Sequence, residues 1–442
     1  CNVIGDNSKG GGLYLVVNTN TSLLISGMSL FNNCSSDFIG GGCYMLCTGI
    51  GSQIQITGQL EFENCSSKSG GGMRININNY ATVVINQISF KDCFASVGGG
   101  GCYINCLETG GIFSITGELQ FENCNSDLGG GMLIYIQSST TLDINKISFQ
   151  YCQSNQSGGG IMADIQIGGK LSISGISSFL NCVSQNGGGI YSNINDGTLN
   201  IEDTTFDRCT CSQPGNGGGI ALYQGSSSII SITNSSFIDC KTISNSSDQR
   251  YGWGGGIFIQ TSVTAENLNE SNFIIRDLII TRCSAVNSIG NNLHIQSIDT
   301  YTTGEAIKNG NLLTVINQSN PPNIISDLYT SLSYAYDYMG INESLDTSNP
   351  GTVNLDLHDS LFEQLFLSKI PNPIYIDSII GKDIKYCGGL QTMCKTMQYS
   401  INRNSIPLTG TPPSDTNYSI KLTSNTEIEI NIQITSTTLQ CG

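Results

Sequence analysis

The chain has 442 residues and a formal net charge of −16, with 18 Lys and Arg against 34 Asp and Glu. An acidic chain without a basic stripe does not suit nucleic acid or an anionic membrane surface, and no secretory signal or apolar run near 20 residues offers a bilayer span. Its 53 Gly, with abundant Ser, Thr and Asn and only 12 % charged residues, fit an exposed structural protein.

From the start of the chain a glycine triplet followed by an apolar residue recurs, as GGGL at 10–13, GGGC at 40–43 and GGGM at 70–73, and again at 99, 129, 158, 187, 217 and 254. Ahead of each later triplet stands a phenylalanine three places before a cysteine, from Phe31/Cys34 and Phe62/Cys65 to Phe237/Cys240. A period near 30 residues means a solenoid, in which each unit buries its apolar face only against its neighbours. After each triplet the apolar residues alternate, as in Met73, Ile75, Ile77 and Met132, Ile134, Ile136, which reads as strand. A second alternating run follows (Val83, Ile85; Leu142, Ile144) and a third precedes the cysteine. Three strands per coil of about 30 residues predict an all-β fold, a right-handed parallel β-helix with equivalent residues stacked about 4.8 Å apart.

A longer rhythm overlies the first. Cysteine spacings run 31, 28, 31, 28, so GGGCYMLC at 40–47 returns 59 residues later as GGGCYINC at 99–106. The duplicated unit is read as a pair of coils. From Cys182 the rhythm loosens, and an insertion at 242–253 lengthens one coil.

GGG-apolar followed by F-x-x-C resembles the GGA-[ILV] and F-x-x-N repeats of polymorphic outer-membrane-type surface proteins, within the wider pectin-lyase-like β-helix class. The resemblance covers about residues 1–300 and implies the fold, with cysteine standing where those proteins carry an interior asparagine ladder. It implies no particular activity, because the same coil carries lyases, adhesins and inert fibres.

Of the 18 cysteines, nine form the expected ladder: Cys34, Cys65, Cys93, Cys124, Cys152, Cys182, Cys209, Cys240 and Cys283. They can serve as small apolar fillers of an inward turn. They can also staple adjacent coils, since the rung spacing lies within the Cα range of a disulfide, although the dihedral would be strained. Metal binding is the third option, disfavoured because stacked sulfurs do not surround an ion tetrahedrally. Cys43/Cys47 and Cys102/Cys106 share inward positions with Met73/Ile77 and Met132/Ile136, so core filling is expected there, with a disulfide within each pair as the alternative.

Ten N-x-S/T triplets occur, no more than this composition gives by chance. Asn245, Asn269, Asn317 and Asn342 lie in insertions or linker, where an acceptor is accessible for glycosylation.

The coil fades near residue 300, giving a first domain at 1–300. A connector is expected at 301–371. Within it, Leu328, Leu332, Ala335, Tyr336 and Met339 predict an amphipathic helix over 326–339, and Val353, Leu355 and Leu357 read as strand. Residues 372–401 resemble the opening of β-helix domains in protist and bacterial surface proteins, where a strand, a C-G…C-K-T-[IM]-Q segment and a short helix close the first coil. The resemblance implies that Met397 and Ile401 cap the apolar end and that Cys387 and Cys394 can be bridged. Alternating strands at 419–422 and 427–434 complete a third region, 372–442, the start of a second β-helix.

Chemistry is scarce. His294 and His358 are expected to be ordinary surface residues. Glu61, Glu63, Glu118 and Glu122 recur two coils apart, which duplication explains more simply than an inverting carboxylate pair. Asp196, Asp203 and Asp207 could hold Ca²⁺ only if their oxygens converge. No triplet is followed by the Lys-Ser/Thr of a phosphate loop. No cofactor, metal site or catalytic residue is expected. The residues point to an extracellular, cell-surface structural protein, a unit of a fibre or coat. It would join end to end with itself or with neighbouring repeats of a longer chain, of which the sequence, starting at Cys1 in mid-coil, would be a part. The alternatives are a glycan-binding adhesin and a polysaccharide lyase or hydrolase.

Overall fold

A computed structural model describes residues 1–212, 214–243, 250–343, 357–362, 373–381, 387–390, 393–403 and 419–423. It divides into two units, residues 1–353 with 360–362, and residues 354–359 with 363–442. The first is a parallel β-solenoid of about eight coils, each near 30 residues. Three sheets run along it. The strands that follow the glycines form a twelve-stranded triplet sheet beginning at Leu13–Val17. The middle and pre-cysteine strands together form a sixteen-stranded sheet, and the short strands after each cysteine form a nine-stranded sheet. Neighbours are parallel and in register, as Met73 to Cys102, Cys102 to Met132 and Met132 to Ile161 show.

The three glycines of a triplet answer three different demands. Gly70 lies at φ +70°, where a side chain is strained. A Cβ on Gly71 would stand 2.2 Å from the Gly100 carbonyl oxygen of the next coil, and one on Gly72 would stand 2.5 Å from the Phe90 ring. The turn is therefore closed by hydroxyls two residues after the cysteine: Ser67, Ser126 and Ser184 donate to the carbonyls of Gly70, Gly129 and Gly187 at 2.8–2.9 Å.

The 31/28 alternation has a simple structural origin. Strand registers leave four residues, 49–52, at the bend of one coil and three, 79–81, at that of the next. They leave 57–58 against residue 86 alone, and 36–38 against 67–68. Each of three bends takes one extra residue, and no strand is displaced.

Inside, the phenylalanines form a column. Successive rings from Phe31 to Phe237 stack with centroids 4.6–5.0 Å apart and planes inclined by 6–23°. Each stacked pair is worth about 0.5–1.5 kcal/mol beyond the burial of its area. Isoleucine, leucine and valine, joined by methionine, alanine and further cysteines, fill most of the remaining inward positions of the coils.

Beyond Phe237 the column stops, because Ile280 occupies the paired position. The triplet sheet itself continues past residue 300, with Leu293–Ser297 paired to Tyr338–Asn342. Between these strands lies an α-helix, Thr300–Asn309, whose N-cap Asp299 accepts the Thr302 N–H at 2.7 Å. The helix expected at 326–339 does not form. A 3-10 turn, Leu332–Tyr334, and the strand from Tyr338 occupy that stretch. Its Ser, Thr, Asp and Tyr residues are weak helix formers, and pairing with the neighbouring strand is the stronger alternative.

The second unit has a parallel strand pair, Ile374–Ile376 with Ile420–Leu422, and a short helix, Met397–Arg403. Asp377 ties it together: one carboxylate oxygen accepts the Ile379 and Ile380 N–H groups, and the other accepts the Thr423 hydroxyl at 2.8 Å. Met397 is buried. The side chain of Ile401, the strand at 427–434, and Val353 and Leu355 lie outside the described residues.

Candidate functional site

The residue before each ladder cysteine, from Asn33 to Arg282, sits at φ +51° to +56°, and this left-handed corner turns the next side chain inward. All nine ladder thiols, Cys34 to Cys283, are buried. Each lies 3.4–3.9 Å from the carbonyl oxygen two residues before it. Six of them, Cys65, Cys93, Cys124, Cys209, Cys240 and Cys283, also reach the phenylalanine carbonyl of the preceding coil, at 3.3–3.7 Å. No disulfide joins them. Burial pushes the Cys124, Cys182, Cys209 and Cys240 thiols up from their ordinary range. They are therefore protonated and not nucleophilic at neutral pH.

Cys43, Cys47, Cys102, Cys106 and Cys211 are buried on other inward rows and are also free thiols. Burial drives the Cys106 thiol up to about 12 and those of Cys43, Cys102 and Cys211 further. In the second unit Cys387 and Cys394 are joined, with their Cα atoms 4.7 Å apart.

Five of the seven acidic residues singled out in the sequence have local side-chain partners. Glu61 accepts from Gln59 Nε2 at 2.6 Å and Glu63 from Asn32 Nδ2 at 2.9 Å. Glu118 pairs with Lys146 and Glu122 with Lys91, at 3.2 and 3.6 Å. Such exposed pairs contribute at most about 1 kcal/mol each. Glu61, Glu63, Lys91 and Glu122 line a shallow groove on the outer face of the pre-cysteine strands, together with Ser89, Gln120, Ser148 and Gln150. Asp207 pairs with Arg208 at 2.8 Å, while Asp196 and Asp203 sit at separate left-handed corners. Among the described residues no group of three or more His, Cys, Asp or Glu is arranged to hold a metal ion.

The two histidines correct the expectation that they lie on the surface: both are fully buried. His294 points outward from the triplet sheet, but Trp253, from the lengthened coil, covers it, with ring centroids 5.0 Å apart. Phe258 packs on the same imidazole at 5.9 Å. Burial holds the His358 imidazole down to about 3.

The outer face of the triplet sheet carries a row that the sequence reading missed. Tyr14, Tyr44, Tyr103 and Tyr191 occupy the second position of their strands, and Tyr135 and Tyr223 the fourth. Tyr103 and Tyr135 lie 5.8 Å apart, Tyr191 and Tyr223 5.3 Å. The Arg74 guanidinium sits 4.2 Å over Tyr103, and Asn76 Nδ2 donates to the Tyr44 hydroxyl at 3.1 Å. The signal was legible as a tyrosine directly after the apolar residue of GGGLY, GGGCY and GGGIY.

Asn269 and Asn317 are exposed, and each accepts through Oδ1 from the serine two residues on, Ser271 and Ser319. Asn342 is half-buried and accepts the Thr300 N–H at 2.7 Å. Asn245 lies outside the described residues. No described helix is long and apolar enough to cross a membrane. No protein-family model, curated protein or solved structure matches the chain.

Proposed function

We propose that the chain is a structural solenoid of an extracellular surface, a stiff unit of a fibre or coat. One observation carries this reading: on the pre-cysteine wall the interior repeats and the outer face does not. The phenylalanine and cysteine rows recur coil after coil, whereas the outward position beside them changes from Leu30 to Glu61, Ser89, Gln120, Ser148 and Ser178. Selection for a single reactive centre would hold outward residues in one or two coils. A repeat that holds this interior while the wall over it varies builds length and surface. The extracellular part of the reading rests on composition and on the likeness to polymorphic outer-membrane-type and pectin-lyase-like repeats. On this reading coils of separate chains, or of one longer chain, continue the same sheets end to end.

Negative-stain microscopy of native material, with an antibody to the chain as label, is the test. Labelled rods or a surface layer are expected, and label confined to dispersed compact particles inside the cell would overturn the proposal. The chain should also leave pectate and other uronate polymers uncut. Release of ultraviolet-absorbing unsaturated product, lost on substituting one wall carboxylate, would make it an enzyme.

The tyrosine row favours a second reading, an adhesin that holds glycans on the triplet sheet. Aromatic rings flanked by the side-chain amides of Asn76, Asn193 and Gln260 suit stacking on sugars with hydrogen bonds at the rim. Saturable binding on a glycan array, abolished by Tyr135→Ala, would move the weight to this reading.

A further inference from the structure

The outer face of the triplet sheet already holds one cation of its own. Arg74 stands in the coil between those of Tyr44 and Tyr103 and pairs with each in register. Its guanidinium lies 4.2 Å over the Tyr103 ring. Its Nε donates to Asn76 Oδ1 and its Nη1 to Ser69 Oγ, both at 3.3 Å. Rows two rungs apart are separated by about 9.6 Å along the axis, which leaves room for one flat cation with a ring about 4 Å from each of its faces.

Three coils further on, the arrangement returns with the central charge reversed. Asp164 stands in the coil between those of Tyr135 and Tyr191. It pairs in register with Tyr135 on one side and with Asn193 on the other, and Tyr191 precedes Asn193 by two residues on the same face of its strand. Tyr191 is held in place, because its hydroxyl donates to Asn193 Oδ1 at 3.2 Å and its ring packs on that of Tyr223 at 5.3 Å. Met162, buried, occupies the other outward position of the Asp164 strand. The Asp164 side chain is half-buried, and its two oxygens accept from Gln166 Nε2 at 3.0 and 3.2 Å. Among the described residues no Lys, Arg or His forms an ion pair with it. Ring faces and carboxylate alike attract positive charge, and here the chain supplies none.

We propose that Asp164, with Tyr135 and Tyr191, is a binding site for an arginine side chain of a partner protein. The guanidinium lays its plane against the tyrosine rings, as Arg74 does on Tyr103, and sets its fork on the carboxylate. Gln166 takes one acceptor direction of each oxygen, and a carboxylate has about four, so the fork finds the others open. A lysine ammonium brings the charge without the plane or the fork. Because the site turns on the carboxylate, it stands whether or not the tyrosine row also holds sugars.

The test is surface plasmon resonance on the immobilised full chain with the capped tripeptide Gly-Arg-Gly and its lysine and citrulline counterparts. Saturable binding of the arginine peptide is expected, at least about tenfold weaker binding of the lysine peptide, and none of citrulline, which keeps the shape and loses the charge. Asp164→Asn removes the charge from an outward position and should weaken the arginine peptide about 10–100-fold. Tyr135→Ala should weaken it about fivefold, and Asp143→Asn, an exposed carboxylate on the neighbouring sheet, should leave it unchanged. A readout without variants is competition. Guanidinium far below denaturing concentration should displace the peptide, and tetramethylammonium at the same concentration should not. The proposal is overturned by absence of saturable binding, by equal binding of the citrulline peptide, by equal displacement by the two cations, or by Asp164→Asn leaving the affinity intact.

Discussion

The regular coils up to Phe237 and the closing coils from Trp253 to Asn342 use the same sheets but different rules at the turn. In the regular coils the third glycine faces a phenylalanine ring, so that a Cβ on Gly131 would stand 2.4 Å from Phe149, and the second lies between two backbone carbonyls, so that a Cβ on Gly130 would stand 2.2 and 2.3 Å from their oxygens. The first closing coil keeps Gly254, Gly255 and Gly256, but Ile280 stands where the phenylalanine column would continue, and the next triplet becomes Gly290, Asn291, Asn292. The first glycine persists with φ +67°, while the asparagines use their side chains: Asn291 donates to Asp337 and accepts from the Ala285 N–H, and Asn292 donates to the Tyr338 hydroxyl. The first glycine thus belongs to the turn, and the other two belong to what is stacked on it.

Alkaline pH should separate the regions most strongly. The raised thiols stay protonated when folded but ionise near 8.5–9 when unfolded, so their stabilisation is present below that range and is lost as pH rises through it. Each contributes a slope of about 1.4 kcal/mol per pH unit. Urea midpoints at pH 8 and 10, with hydrogen exchange resolving the regions, should show the regular coils opening first. Equal loss in the closing coils would break the comparison. Removing a ring comes next. Phe149→Ala should cost about 3–5 kcal/mol, through the cavity and two lost stackings, and Ile280→Ala, at the half-exposed end of the column, no more than about 2 kcal/mol.

Gly130→Ala should cost about 3 kcal/mol, because both facing atoms are backbone and cannot swing aside. Asn291→Ala should lose only its hydrogen bonds, about 1 kcal/mol each, and equal denaturation midpoints for the two variants would refute the division of roles drawn above. The smallest expected effect has the opposite sign. Ser192 points into the core of a regular coil, where its hydroxyl is buried with no hydrogen-bond partner. Ser192→Ala should raise stability by about 1 kcal/mol, and a loss would reveal a partner for the hydroxyl.

Most of the solenoid was legible in the sequence because its rules are local. Alternation marks the strands, and the Phe and Cys offsets mark the corner on every coil. The closing region was not. His294 reads as an outward residue on an outward row and is buried because Trp253, 41 residues earlier, folds over it and Phe258 packs beside it. The helix Thr300–Asn309, rich in threonine and holding Gly304, carries little intrinsic helical preference and is set by its aspartate cap and by packing of Ile307. Residues 326–339 show the reverse case, helical spacing overridden by a strand partner. The tyrosine row is visible letter by letter, but apolar alternation marks only the inward positions of a strand and assigns no role to the outward ones.

The single extra residue at each of three bends makes the molecule extensible in fixed increments. Excising 66–124 would join Cys65 to Asn125 and put Met132 beside Cys43, where Met73 stood, so that each inward row meets the same kind of neighbour as before. A replication slip of 59 residues is therefore structurally silent except in length, which changes by about 9.6 Å, two rungs of the stack. A slip of one coil alone would set two long or two short bends side by side. Lengths that differ by whole pairs of coils are the variants such a chain can reach by duplication without repacking its interior.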